Sequence, residues 1–83
     1  MDARRKRLLF RAQHCGMKEN DIMLGHFAAA HVADLDEAAL DAFEDLLGQS
    51  DNDVYNWVSG RQAPPAAFDG PLMRLIKDFN KTS

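Results

Sequence analysis

An all-α fold, a compact five-helix bundle in one domain over residues 1–83, is predicted by three observations. Only six residues are β-branched: Ile22, Val32, Val54, Val58, Ile76 and Thr82. Strands favour such side chains, whereas Ala and Leu favour helices. Apolar residues recur at helical spacing in segments punctuated by Gly and Pro. The connections between those segments are short, which makes successive helices antiparallel neighbours. Of 38 apolar residues, 12 are alanine, so 26 larger side chains supply most of the core. A chain of this length buries about 60–65% of its unfolded surface. That excludes two domains, a solenoid of three or more repeats and most enzymes that need a deep cleft.

The first helix is predicted from Asp2 to Cys15, with Leu8, Leu9 and Ala12 on one face and Gly16 as its stop. The second runs from Met17 to Val32. Glu19 and Asp21 sit in its first turns, where negative charge complements the helix dipole. Met23, Phe27 and Ala30, with Ile22 beside them, are its expected buried stripe. The third spans Glu37 to Leu47, capped by Asp36 and stopped by Gly48, with Leu40, Phe43 and Leu47 inward and Ala39 and Leu46 on the flank. The fourth covers Asp51 to Ser59. Ser50 and Asp53 resemble a capping box, Tyr55, Trp57 and Val58 give bulk, and Gly60 ends it. Ala63-Pro64-Pro65 is extended. The last helix begins near Asp69-Gly70-Pro71 and carries Leu72, Leu75, Ile76 and Phe79 on one face.

Charge is unevenly placed. Five of the ten basic residues (Arg4, Arg5, Lys6, Arg7 and Arg11) lie in the first eleven positions, and Asp34–Asp53 holds eight acids without a Lys or Arg. The net charge of -3 argues against a dedicated nucleic-acid binder. Cys15 is the single cysteine, which excludes an internal disulfide framework and a multi-cysteine zinc site. No apolar run of signal-peptide or membrane-spanning length is present. The compartment expected from these features is the cytoplasm.

Catalytic chemistry finds no support. His26 and His31 are five residues apart and do not share a helix face, and His14 and Cys15 point apart. The glycines are scattered and form no phosphate loop. Glu19 and Asp21 splay outward rather than pairing. A small helical domain that acts by binding is left, and its most distinctive feature is the helix–Gly16–helix corner with Glu19 on the adjoining turn.

The strings Leu8-Leu9-Phe10-Arg11 and His14-Cys15-Gly16-Met17-Lys18-Glu19-Asn20-Asp21 resemble the SdhE-type succinate dehydrogenase assembly factors, the flavinylation factors with an R-G-x-x-E signature. The likeness continues in Leu24-Gly25-His26-Phe27, in Phe43-Glu44-Asp45-Leu46-Leu47, and in Asp51-Asn52-Asp53-Val54-Tyr55-Asn56-Trp57, which is similar to that family's D-x-D-[LI]-[YF]-x-W segment. Pro64-Pro65 and Met73-Arg74-Leu75-Ile76 agree with its C-terminal part, so the likeness covers about residues 5–80.

The resemblance implies a five-helix bundle. It also implies a non-catalytic chaperone that binds the flavoprotein subunit of succinate dehydrogenase, or in some bacteria of fumarate reductase, and promotes covalent attachment of FAD to a histidine there. No tightly bound cofactor is expected in the factor itself, and its expected state is a monomer that binds neither nucleic acid nor membrane. The expected partner surface is Arg11, His14, Cys15, Gly16, Met17, Glu19 and Asp21. The chain departs from the signature at Cys15, where the family has arginine. Cysteine lacks arginine's planar fork of donors. Arg11 or Lys18 supplies the charge instead, or the partner has changed to suit, or the member has diverged. The alternative function is a small helical nucleic-acid-binding regulator or antitoxin-like interaction protein, suggested by the basic N-terminal segment. A thiol redox sensor at Cys15 is a further rival.

Overall fold

The computed structural model describes residues 1–82. It contains five α-helices: α1 (Ala3–Gln13), α2 (Lys18–His31), α3 (Glu37–Leu47), α4 (Asp51–Ser59) and α5 (Pro71–Thr82). Short 3-10 turns at Val32–Asp34 and Ala66–Phe68 complete the order, and there is no strand among the described residues. The all-α expectation holds, and the bounds of α3 and α4 agree with the sequence reading.

Local chemistry explains the ends. Asp2 caps α1 by accepting from the Arg5 N–H at 2.8 Å, and Asp36 caps α3 by accepting from the Ala39 N–H at 2.8 Å. Ser50 accepts from the Asp53 N–H at 3.3 Å. Gly60 closes α4 in the left-handed conformation. The expected first helix is three residues too long, one at its start, where Asp2 is the cap, and two at its end. It stops at Gln13 with His14 as its C-cap, so Cys15 lies in the turn. The second helix begins at Lys18 rather than Met17, and Val32 opens the following 3-10 turn.

The core runs through all five helices: Leu8, Ala12, Leu24, Phe27, Ala28, Val32, Leu40, Phe43, Leu46, Val54, Trp57, Val58, Leu72, Met73 and Ile76 are buried. Phe27 is its hub, meeting Phe43 and Phe79 edge-on at 5.9 and 5.8 Å. Trp57 stacks on Phe68 at 5.2 Å, which holds the segment after the prolines against α4.

The expected stripe on α2 is corrected. The buried positions are Asn20, Leu24, Gly25, Phe27 and Ala28, while Ala30 and Ile22 are exposed and Met23 is half-buried. Close packing of α1 on α2 explains the rotation: a Cβ on Gly25 would stand 3.3 Å from the Ala12 carbonyl oxygen and the Gln13 Cα. On α5, Met73 is buried and Leu75 is 51% exposed, the reverse of the expected assignment. On α3, Leu46 is buried and Leu47 half-buried, again reversing core and flank.

Two of the five basic residues of the N-terminal segment are engaged within the fold. Arg4 bridges α1 to α3 by pairing with Glu37 (3.1 Å), Asp41 (2.6 Å) and Glu44 (3.2 Å). Arg5 donates to the carbonyls of Val32 at 3.1 Å and Leu35 at 2.5 Å, and pairs with Asp2. These two arginines therefore hold the acidic flank and the α2–α3 connection, and are not presented as a free stripe for phosphates.

Candidate functional site

The corner between α1 and α2 is built by three local devices. His14 caps α1, with its Nδ1 2.7 Å from the Phe10 carbonyl oxygen and its ring stacked on Phe10 at 4.1 Å. A carbonyl only accepts, so this contact places the ring proton on Nδ1. The chain then reverses at Gly16, whose φ of +91° lies in the region that L side chains rarely adopt. The Asp21 carboxylate reaches back from the first turns of α2 to accept the Cys15 N–H, which closes the corner.

The seven sequence-predicted residues occupy this corner in different ways. Arg11, His14 and Cys15 line one hollow, and Asp21 touches that group through the Cys15 backbone. Gly16 is exposed at the apex, and Met17 is the half-buried N-cap of α2. Glu19 is exposed in the first turn of α2 and makes no side-chain hydrogen bond or ion pair among the described residues. Nothing in the fold occupies that carboxylate.

The hollow has a volume of about 190 Å³ and lies where the end of α1, the start of α2, the end of α3 and the start of α4 meet. Three further residues, not singled out from the sequence, define it. Phe10, 61% exposed, forms its rim with His14. Asn20 is 1% exposed; its Nδ2 donates to the Asp51 carbonyl at 2.9 Å, and its Oδ1 is buried without a partner. Asp51 brings a carboxylate to the apex, where a Cβ on Gly16 would stand 3.1 Å from its Oδ2. Positions 20, 24, 27 and 28 share the buried face of α2, and once that face is known a polar residue on it asks for a partner.

Cys15 is half-buried, and its thiol lies 3.1 Å from the Ala12 carbonyl oxygen. Burial, then the neighbouring Asp21 and Asp51 carboxylates, push the thiol up to about 11, and Arg11 opposes them only weakly. The field at the corner is therefore negative. A thiol held protonated in this way is a poor nucleophile and a poor redox sensor. Among the described residues, no group of three His, Cys, Asp or Glu side chains is placed to hold a metal ion.

The corner combines an exposed apex, an unengaged carboxylate, an aromatic rim and a negative hollow. The family described as "Flavinator of succinate dehydrogenase" matches residues 6–80. The chain belongs to this family. Among its relatives is succinate dehydrogenase assembly factor 2, mitochondrial, of Danio rerio, 34% identical over 83 residues, covering 98% of this chain and 52% of the relative. The protein of the same name in Dictyostelium discoideum is 36% identical over 77 residues, covering 93% and 55%. Succinate dehydrogenase assembly factor 2-B, mitochondrial, of Drosophila melanogaster is 31% identical, covering 98% and 53%. The chain spans about half the length of the curated relatives it matches.

Family membership bears out the resemblance read from Gly16–Glu19 and the downstream segments. It also corrects one expectation. The relatives are named as mitochondrial proteins, so assignment to the cytoplasm, inferred from the lack of a signal-peptide pattern, is overturned. That pattern reports on secretion, and compartments reached by other routes leave no such mark. Among the described residues, no helix is long and apolar enough to cross a membrane. The regulator alternative finds no support in the family or in the engagement of Arg4 and Arg5.

Proposed function

We propose that this chain is an assembly factor that binds the flavoprotein subunit of succinate dehydrogenase and promotes covalent attachment of FAD to a histidine of that subunit. The observation that carries the reading is the family match over residues 6–80, which includes the whole Cys15–Asp21 corner. The factor acts as a chaperone and not as the catalyst: it holds the flavoprotein in a state in which attachment proceeds, and FAD stays with the partner. A corner with a protonated thiol and an open carboxylate is suited to binding and poorly suited to bond-making.

In this reading Gly16 lets the partner backbone approach closely, and Glu19 accepts hydrogen bonds across the interface. Met17 and Asp21 flank the contact, and Arg11 and His14 border it from α1. The test is covalent flavin on the flavoprotein subunit, read as fluorescence on a denaturing gel after co-expression. Glu19→Ala should abolish or strongly reduce the flavin signal. Because Glu19 is exposed and unpaired, its removal should alter folding stability by less than about 0.5 kcal/mol. Undiminished flavinylation with a folded Glu19→Ala protein refutes the assignment of the corner.

A further inference from the structure

We infer that the hollow beside Gly16 receives a guanidinium, supplied by an arginine side chain of the flavoprotein partner. The inference rests on the reading that this corner is the docking surface, and it names the chemistry that the surface selects.

The acceptors decide the class of ligand. Asn20 lines the hollow with its donor already given to the Asp51 carbonyl and its Oδ1 buried without a partner. A buried acceptor left unmatched is unfavourable by the full desolvation of that group, so the site calls for an N–H donor. The Asp51 carboxylate stands at the apex, and Asp21 stands behind Cys15. Both carboxylates disfavour negative charge at the Cys15 sulfur more than Arg11 favours it. An anionic ligand is therefore repelled, and an apolar one leaves Asn20 as it is.

The rim decides which cation. Phe10 and His14 stack at 4.1 Å and present an aromatic plate, with Phe10 largely exposed. A guanidinium is planar, packs on aromatic faces and spreads several donors over separate acceptors. An ammonium is a compact, strongly hydrated point charge and uses neither feature well. Arg11, the one cation lining the hollow, makes no ion pair among the described residues and is free to swing aside. Cys15 is short, and leaves the space open.

The test titrates the full chain with methylguanidinium and follows its amide resonances. Saturable shifts are expected at the Cys15 and Gly16 amides and the Asn20 side-chain amide, with much smaller ones for methylammonium. Asp51→Asn, which keeps a residue suited to the start of α4, should weaken the methylguanidinium response and the affinity for the flavoprotein subunit about tenfold or more. Equal shifts with methylammonium, or shifts spread along the Asp34–Asp53 flank, overturn the site. Capture of the subunit by the wild-type chain, with equal capture by Asp51→Asn and no probe response, overturns the hollow and leaves the assembly-factor reading standing. Saturable probe shifts without capture of the subunit by the wild-type chain keep the hollow as a guanidinium site but overturn both the assembly-factor reading and the flavoprotein as the source of the arginine.

Discussion

Asn20 and Asp51 are joined by a hydrogen bond of 2.9 Å from the Asn20 amide to the Asp51 carbonyl, although 31 residues separate them. The bond ties the first turn of α2 to the first turn of α4. It thereby fixes the Asp51 carboxylate beside the Gly16 apex. The corner is positioned by α4 as much as by the two helices that form it.

Removing that tie should loosen the site before it unfolds the chain. Asn20→Ala deletes one hydrogen bond and leaves a small void, a loss of about 1–2 kcal/mol. Asn20→Asp is expected to be worse at neutral pH, because it buries a charge close to Asp21 and Asp51. Its deficit should shrink on acidification as the new carboxyl protonates. Urea denaturation followed by Trp57 fluorescence measures both, since Trp57 is buried against Phe68 in the native state. An Asn20→Asp protein as stable at neutral pH as Asn20→Ala contradicts the negative field assigned to the corner.

Gly16→Ala isolates the backbone requirement. An alanine at φ +91° is strained by roughly 1–2 kcal/mol. Its Cβ also presses on the Asp51 carboxylate, which is the movable end of an exposed side chain and can yield. The stability loss should therefore stay near the backbone figure, while the apex becomes crowded and flavinylation falls. Denaturant midpoints and the flavin gel separate the two effects.

The legible parts of this fold are those set by adjacent residues. Asp36, Gly48, Ser50 and Gly60 mark the ends of α3 and α4, because caps and stops act within a turn of the chain. The face of α2 was not legible. Three consecutive alanines, Ala28–Ala30, make every side of its second half apolar, so periodicity does not choose a face; the close approach of α1 at Gly25 does. Likewise, Met73 and Leu75 flank the same stripe, and only packing decides between them. The grouping of Cys15–Asp21 at one corner was legible because those residues are contiguous. The hollow was not, because Phe10, Asn20, Leu47 and Asp51 converge from four helices.

Arg4 offers a test of the acidic flank. Its guanidinium is shared among Glu37, Asp41 and Glu44, so three carboxylates lose their counter-charge when it is removed. Arg4→Ala should lower the melting temperature, and the difference from wild type should narrow as salt rises from about 0.05 to about 1 M, where screening shortens the reach of the repulsion. A difference independent of salt assigns the effect to lost packing by the arginine stem instead.

Cys15 should behave as an unreactive thiol. With its pKa pushed up to about 11 from an ordinary 9.0, chiefly by burial and then by Asp21 and Asp51, its thiolate fraction at pH 8 is about 100-fold below that of a free cysteine. Alkylation by iodoacetamide should be slower by a similar factor, and should accelerate about tenfold per pH unit until the pH approaches the native value. The same shift links to stability. The fold favours the neutral thiol, so the contribution is fully present below pH 9 and is lost as pH rises from 9 towards 11, where the unfolded chain has released its proton and the folded chain has not. Because the side chain is half-exposed, solvent screening reduces this contribution to about 1 kcal/mol. Cys15→Ser should flatten that part of the pH–stability curve. Cys15→Arg should remove it as well and, by placing a guanidinium beside Asp21 and Asp51 from within the chain, should also suppress the methylguanidinium shifts. Rapid alkylation of the native wild-type protein at pH 8, at the rate of a free thiol, contradicts the electrostatics on which both expectations rest.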